Sequence, residues 1–481
     1  MLLSCVVQAC RSDTIGGMTS KPDKLTVFVR AALLTVVAFA SGSCTPTAET
    51  PAPTVGTVSS PTATGARATA TSDPAPALES TCPAIDTELR DRLDQIESQV
   101  ERLRGLQPMH AVSRGLLTTS QLRIKVEQDF LSDYSVQESE RDALILSMLD
   151  LVEPGLDLHA LYTELLAEQI AGFYDIQEEE MVVVCGAGTA GLQVFAYVHE
   201  YVHALQDQTY SLETGLNFSD EECDLAGERC LALRALIEGD ATLLQEQWLR
   251  TYADGALLSE LLASLGDLNS PAFDSAPAYI RAELTFPYLA GLSFVRAMYL
   301  ENDWMGIDAV YQNPPVSSEQ ILHPDRYPRD VPIALSAPPG LDALEDGWNL
   351  TAQKVLGEWT TRQVLREHLA EEVAQETSTG WGGDLLLLFE TPERKRVALA
   401  LITQWDTVRD AHEATSGFFE YGVARFGEPA HRTPAEATWV FDGGASQFLR
   451  QSNQTRWIIA PDGEALSLLQ SVLILTLATS Q

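Results

Sequence analysis

His199-Glu200-Tyr201-Val202-His203 sets two imidazoles four residues apart, with a carboxylate beside the first. On a helix, residues four apart share a face. Both rings can then reach one zinc ion, while Glu200 stands next to the metal to take a proton from a bound water. The chain has only eight His among 481 residues, so the pairing is not a by-product of a His-rich composition. The chemistry this pattern can perform is metal-assisted hydrolysis, most simply of a peptide bond.

A catalytic zinc usually takes three protein ligands and keeps one position for water. Extension of the motif to H-E-x-x-H-x-x-G-x-x-H would need Gly and His at positions held by Gln206 and Thr209, which excludes that arrangement. The other source is a Glu on a following helix. Glu238 follows Ala235-Leu236-Ile237, an apolar setting in which an unpaired carboxylate would be costly. Asp240 is the rival. Residues two apart leave a helix on different sides, so the two cannot easily share one ion. Glu238 is the preferred ligand, and Asp240 is expected to orient a ligating His or to cap. His323 and Tyr327, in Ile321-Leu322-His323-Pro324-Asp325-Arg326-Tyr327, are candidates to stabilise the oxyanion. The competing reading is a His that caps the turn before Pro324. The remaining five His, at 110, 159, 368, 412 and 431, are scattered and receive no role.

The elements that would hold these residues can be read from periodicity. Val194, Phe195, Val198, Val202 and Leu205 form an apolar helical face, and no Pro or Gly interrupts 192–208. A second helix is expected over Leu231–Tyr252. Upstream, apolar residues from Ile85 to Leu106 recur at three- and four-residue steps, and further helical patterns cover 119–134, 138–152 and 158–170. Ile170–Tyr174 and Met181–Cys185 flank an acidic turn and predict a β-hairpin, followed by a loop over Gly186–Gly191. A strand just before the zinc helix could offer its edge to an extended peptide; a plain structural sheet is the equal alternative. More helices are expected over 256–265 and 281–302. Pro-rich sequence near 328–339 suggests a boundary. Beyond it the pattern predicts a helix over 350–376, strands at 385–390 and 396–404, a helix at 408–425, strands near 437–441 and 455–460, and a buried terminal helix at 463–478.

The expected fold class is therefore α+β: a mainly helical catalytic domain with a small sheet over 81–340, then a smaller α+β domain over 341–481. Two segments precede them. From Met18, a possible true start, Lys21, Lys24 and Arg30 lead into an apolar run over Ala31–Ala40, the pattern of an export signal. Ser41-Gly42-Ser43-Cys44 then reads as a lipoprotein cleavage site with Cys44 as the lipidated residue. Ser41 stands where such sites usually carry Leu, which leaves simple secretion as the alternative. Residues 45–80 are Thr-, Pro- and Ala-rich and read as a disordered tether.

Formal net charge is −37. That argues against nucleic acid or an anionic membrane surface as partner, so any membrane link would run through Cys44. Of seven Cys, Cys5 and Cys10 lie in the leader and four in the body. An even number in an exported protein suggests disulfides. Cys223 and Cys230 are the preferred pair, with Cys82 and Cys185 left by elimination.

At these residues the chain resembles the zincin metallopeptidases of the Glu-ligand (gluzincin) type. More closely, it is similar to a group of uncharacterised bacterial exported proteins. The matching pieces are Ala171-Gly172-Phe173-Tyr174-Asp175, His199 to Gln208, Ala235 to Thr242, Ser318 to Pro324 and Gly380 to Asp384. The resemblance implies Zn2+ as cofactor and peptidase activity on a peptide or protein, and it names no substrate. Many relatives carry Glu-x-x-x-Asp, whereas here Thr242 stands four after Glu238. Two other readings keep the scaffold: a zinc hydrolase of another amide or ester, and a catalytically silent binding lipoprotein. The sequence leaves the oligomeric state open.

Overall fold

The computed structural model describes residues 82, 85–125, 134–169, 172–185, 190–219, 222–223, 227–267, 270–341 and 343–475. The leader with Met18 and Cys44, the 45–80 tether, Cys5 and Cys10, Ala171, most of the 186–191 loop and residues 476–481 lie outside them. The class is α+β.

Helix α1 (Thr87–Arg104) starts on an Asp86 side chain that accepts the Leu89 N–H and stops at Gly105 in the left-handed region, φ 79°. Strand β1 (Ser113–Leu117) follows, then helices α2 (Thr119–Lys125), α3 (Val136–Met148) and α4 (Leu158–Gln169). The hairpin strands are β2 (Gly172–Asp175) and β3 (Glu180–Val184). β1 pairs with β3 in parallel, giving a three-stranded sheet in the order β1-β3-β2 that leaves β2 at an edge. Nothing in the Ser-Arg-Gly-Leu-Leu sequence of β1 alternates, and sequence periodicity gave no sign of it.

Helix α5 (Ala190–Tyr210) carries the H-E-x-x-H motif, and α6 (Gly227–Tyr252) carries Glu238. Val198, Val202 and Leu205 of α5 pack with Leu93, Ile96 and Val100 of α1 and with Ala241, Leu244 and Trp248 of α6. Helices α7 (Gly255–Asp267) and α8 (Pro271–Ser275) lead to α9 (Ala278–Gln312), which is broken at Asn302–Asp303 and contains Pro287. α9 crosses α6 at closest quarters. A Cβ on Gly291 would meet the Ala235 carbonyl at 2.0 Å, and one on Gly239 would meet Gly291 at 2.3 Å. Only glycine at both positions allows this approach. A short helix, α10 (Ser318–Leu322), closes this part.

The remainder is built on a seven-stranded antiparallel sheet in the order β4-β5-β6-β10-β9-β8-β7. In chain order the elements are β4 (Asn349–Lys354), α11 (Gly357–Arg366), α12 (Glu371–Ser378), β5 (Trp381–Glu390), β6 (Val397–Trp405), α13 (Val408–Phe426), β7 (His431–Arg432), β8 (Glu436–Phe441), β9 (Gly444–Gln451), β10 (Gln454–Ala460) and α14 (Gly463–Val472). Both faces are covered. Leu385, Leu387 and Phe389 of β5 pack under Leu466 and Leu469 of α14. Leu386 and Leu388 face the other way, into a core that includes Phe418 and Phe419 of α13 and runs on into Phe286 and Phe294 of α9. That is why β5 reads as a continuous apolar run.

Two expectations need correction here. The segment 350–376 is not one helix: β4 is followed by two helices, and Gly357 at φ 81° separates strand from helix. β9 shows no apolar pattern because two of its buried positions, Ser446 and Gln447, are polar and stand between Ala445 and Phe448. Ser446 accepts from the Trp457 indole at 3.0 Å, and Gln447 accepts from Arg456 at 2.8 Å. Such polar residues tolerate burial only because they are paired.

Candidate metal centre

His199 and His203 leave α5 on one side and meet Glu238 from α6. Glu238 Oε2 lies 2.9 Å from His199 Nε2 and 3.4 Å from His203 Nε2. The three ligand atoms all lie within 4.8 Å of one another. A tetrahedral zinc with bonds of about 2.0–2.2 Å needs ligand atoms roughly 3.3 Å apart. The donor set, two imidazole nitrogens and a carboxylate oxygen, and its spacing both fit that ion.

The charge state of the trio points the same way. Burial alone would raise the Glu238 carboxyl, but His203 and His199 outweigh it and hold it well below the ordinary range. Burial works against a charged His203, yet Glu238 and then Glu200 push it up to about 9.

The surrounding residues fix these groups. His203 Nδ1 donates to Gln206 Oε1 at 2.8 Å, which leaves its Nε2 lone pair for the metal. Gln206 in turn donates to the Ile237 carbonyl at 3.1 Å and to Asp240 Oδ2 at 3.0 Å. Asp240 is fully buried and accepts from Arg104 at 2.9 and 3.2 Å and from the Tyr311 hydroxyl at 3.1 Å. Asp240 therefore reaches the trio through Gln206, and Arg104 at the end of α1 neutralises it. His199 Nδ1 is buried with no hydrogen-bond partner among the described residues.

Glu200 points to the side of α5 that faces β2. Its carboxylate accepts the Tyr174 N–H at 3.1 Å, and burial raises it above the usual carboxylate range against the pull of His203 and His199. Tyr174 N–H thus points away from β3 and is taken up by the carboxylate, which lies beside the outer edge of β2.

One further residue belongs here that sequence patterns do not reveal. Tyr288 of α9 sets its ring centroid 6.0 Å from that of His199, and its hydroxyl lies within the field of Glu238 and Glu200. Burial, then Glu238 and Glu200, keep that phenol protonated. The only hint in the sequence is its position three before Gly291, at the α6–α9 crossing.

His323 and Tyr327, expected as oxyanion donors, lie elsewhere. His323 Nε2 is held by both oxygens of Glu358, at 2.9 and 3.0 Å, and the Tyr327 hydroxyl donates to the Asn313 carbonyl. α10 docks on the start of α6, where Ser318 donates to Glu228 at 2.6 Å. Ten residues of helix, about 15 Å, separate Glu228 from Glu238. A second acidic group, Glu319, Asp330 and Asp406, is bridged by Arg326 Nη1 at 2.7, 3.4 and 3.4 Å, so a guanidinium already fills the cation position.

Cys82 is bonded to Cys185 and Cys223 to Cys230. Among the described residues, no helix is long and apolar enough to cross a membrane.

Residues 348–470 match a family model described as a domain of unknown function, DUF8575. The match covers the seven-stranded sheet and excludes His199, His203 and Glu238. No curated protein and no solved structure matches the chain.

Proposed function

We propose that this protein is a zinc-dependent peptidase acting outside the cytoplasm. The observation that carries the reading is the convergence of His199, His203 and Glu238 at zinc-ligand spacing, with Glu200 beside the trio and not part of it. Zinc bound there would acidify a water and polarise the scissile carbonyl. Glu200 takes the proton from that water and returns it to the leaving amine, a task for a buried carboxylate whose affinity for protons is raised. Tyr288 stays protonated and donates its O–H to the oxygen that gains charge. The β2 edge, through Gly172 and the Tyr174 carbonyl, holds the peptide as an added strand. Gln206 keeps His203 in the tautomer that presents Nε2. The two disulfides and the export-like leader support action in an oxidising compartment. Anchoring through a lipidated Cys44 belongs to the same proposal.

The test is zinc content and peptide cleavage by the full chain. Wild type is expected to bind one zinc and to cut peptides. Glu200→Gln should keep the zinc and lose cleavage, and Glu238→Ala should lose most of the zinc. Wild-type protein without zinc in any preparation, or unchanged zinc in Glu238→Ala, overturns the reading.

A further inference from the structure

Arg234 lies four residues before Glu238 on α6, so both side chains leave the helix on the same side. It is exposed, and its charge acts on Tyr288 and on Glu283. Among the described residues it makes no hydrogen bond or ion pair. The chain carries 68 acidic and 31 basic residues, so a guanidinium left without a carboxylate beside the trio is open to an anion from outside. Arg104, Arg114, Arg326, Arg362 and Arg396 are all taken up by carboxylates. Glu283, on which its charge acts, is engaged otherwise: it accepts the Tyr162 hydroxyl at 2.7 Å and the Tyr279 hydroxyl at 3.3 Å.

We propose that Arg234 determines the specificity of this site by receiving a carboxylate of the substrate, one or two residues from the scissile bond. The inference rests on the peptidase reading above and adds the class of peptide it acts on. A guanidinium offers a planar fork of N–H donors that matches a carboxylate with two parallel hydrogen bonds. One helical turn places Arg234 about 6 Å along α6 from Glu238. An extended peptide advances roughly 3.3–3.6 Å per residue, so a group about 6 Å away is within reach of a residue one or two from the scissile bond. The −37 charge of the whole chain repels acidic peptides at a distance, so selection of an anionic group has to be made by a local cation. Two sources share this chemistry: the free C-terminus of a short peptide, and an Asp or Glu side chain within a longer one.

Three peptide libraries separate them: free-acid peptides without acidic residues, amidated peptides with one fixed Glu, and amidated neutral peptides. Full-length zinc-loaded wild type is incubated with each, and the cut sites are mapped by mass spectrometry. The expected result is at least tenfold enrichment of cuts one or two residues from the carboxylate, in the first library or the second. Arg234→Gln should abolish the enrichment through KM, and Arg234→Lys should restore part of it. Cleavage without enrichment, or enrichment that persists in Arg234→Gln, overturns the proposal and leaves the peptidase reading intact. Should wild type cut none of the libraries, the peptidase reading fails by itself. Arg234 is then judged by equilibrium binding of the same libraries: a tenfold affinity loss for the anionic members in Arg234→Gln supports it, and equal affinity overturns it.

Discussion

Tyr288 shows how a site is completed by a residue its own motif does not announce. Its ring lies 6.0 Å from that of His199, and its phenol stays protonated beside Glu238 and Glu200. Removing one such donor typically lowers kcat by about 10²–10³-fold. Tyr288→Phe is therefore expected to lose roughly that factor in kcat while zinc content stays at the wild-type level; an unchanged kcat would remove Tyr288 from the chemistry. The His199–His203–Glu238 grouping was legible because two of its members share a helix face four residues apart and the third stood charged in an apolar run. Tyr288 was not, since it comes from a helix whose position depends on a tertiary crossing. His323 takes the other of its two readings, since it caps the end of α10 just before Pro324. An Ile-Leu-His-Pro segment looks poised for chemistry, but the chain folds that imidazole against Glu358.

That crossing is the element-scale cause of the site. α6 and α9 touch backbone to backbone at Ala235, Gly239 and Gly291, and this brings Tyr288 of α9 to the helix that bears Glu238. Gly291→Ala would place a methyl group 2.0 Å from the Ala235 carbonyl. The helices must part to admit it, at a cost of about 1–3 kcal/mol. Lowered Tm together with a lowered kcat is expected, while zinc content stays high because the ligands come from α5 and α6. Wild-type stability in Gly291→Ala would show that the contact is softer than its geometry. Helices α5, α6 and α13 were readable because their apolar residues repeat at helical spacing. β1 and β9 were not, as one is five irregular residues and the other buries paired Ser446 and Gln447.

At the scale of the whole molecule, the helical part and the sheet meet over a set of buried carboxylates. Burial pushes Glu228 up to about 8, against the hydrogen bonds from Ser318, and Asp384 and Glu358 add to the rise. The unfolded chain releases this proton near the ordinary value of 4.5, while the folded protein holds it to about 8. The unfolded state therefore binds fewer protons across that window, and stability from this group falls as pH rises from about 4.5 to 8. Wild-type Tm is expected to decline over that range and Glu228→Gln to decline less, since Gln keeps an acceptor for Ser318 without the charge. Parallel Tm profiles would assign the seam's pH response to other groups. The other long-range tie is the Cys82–Cys185 bond, which joins positions 103 residues apart. Its consequence is mechanical. Tension drawn along the chain from the N-terminal side reaches Cys82 and passes through sulfur to the end of β3, next to the helix that bears His199. Helix α1 is bypassed and carries none of the load. About 340–370 Å of contour stays locked, so a pull on any anchor would be felt first at the sheet beside the candidate metal centre and not as unravelling of the chain that precedes it.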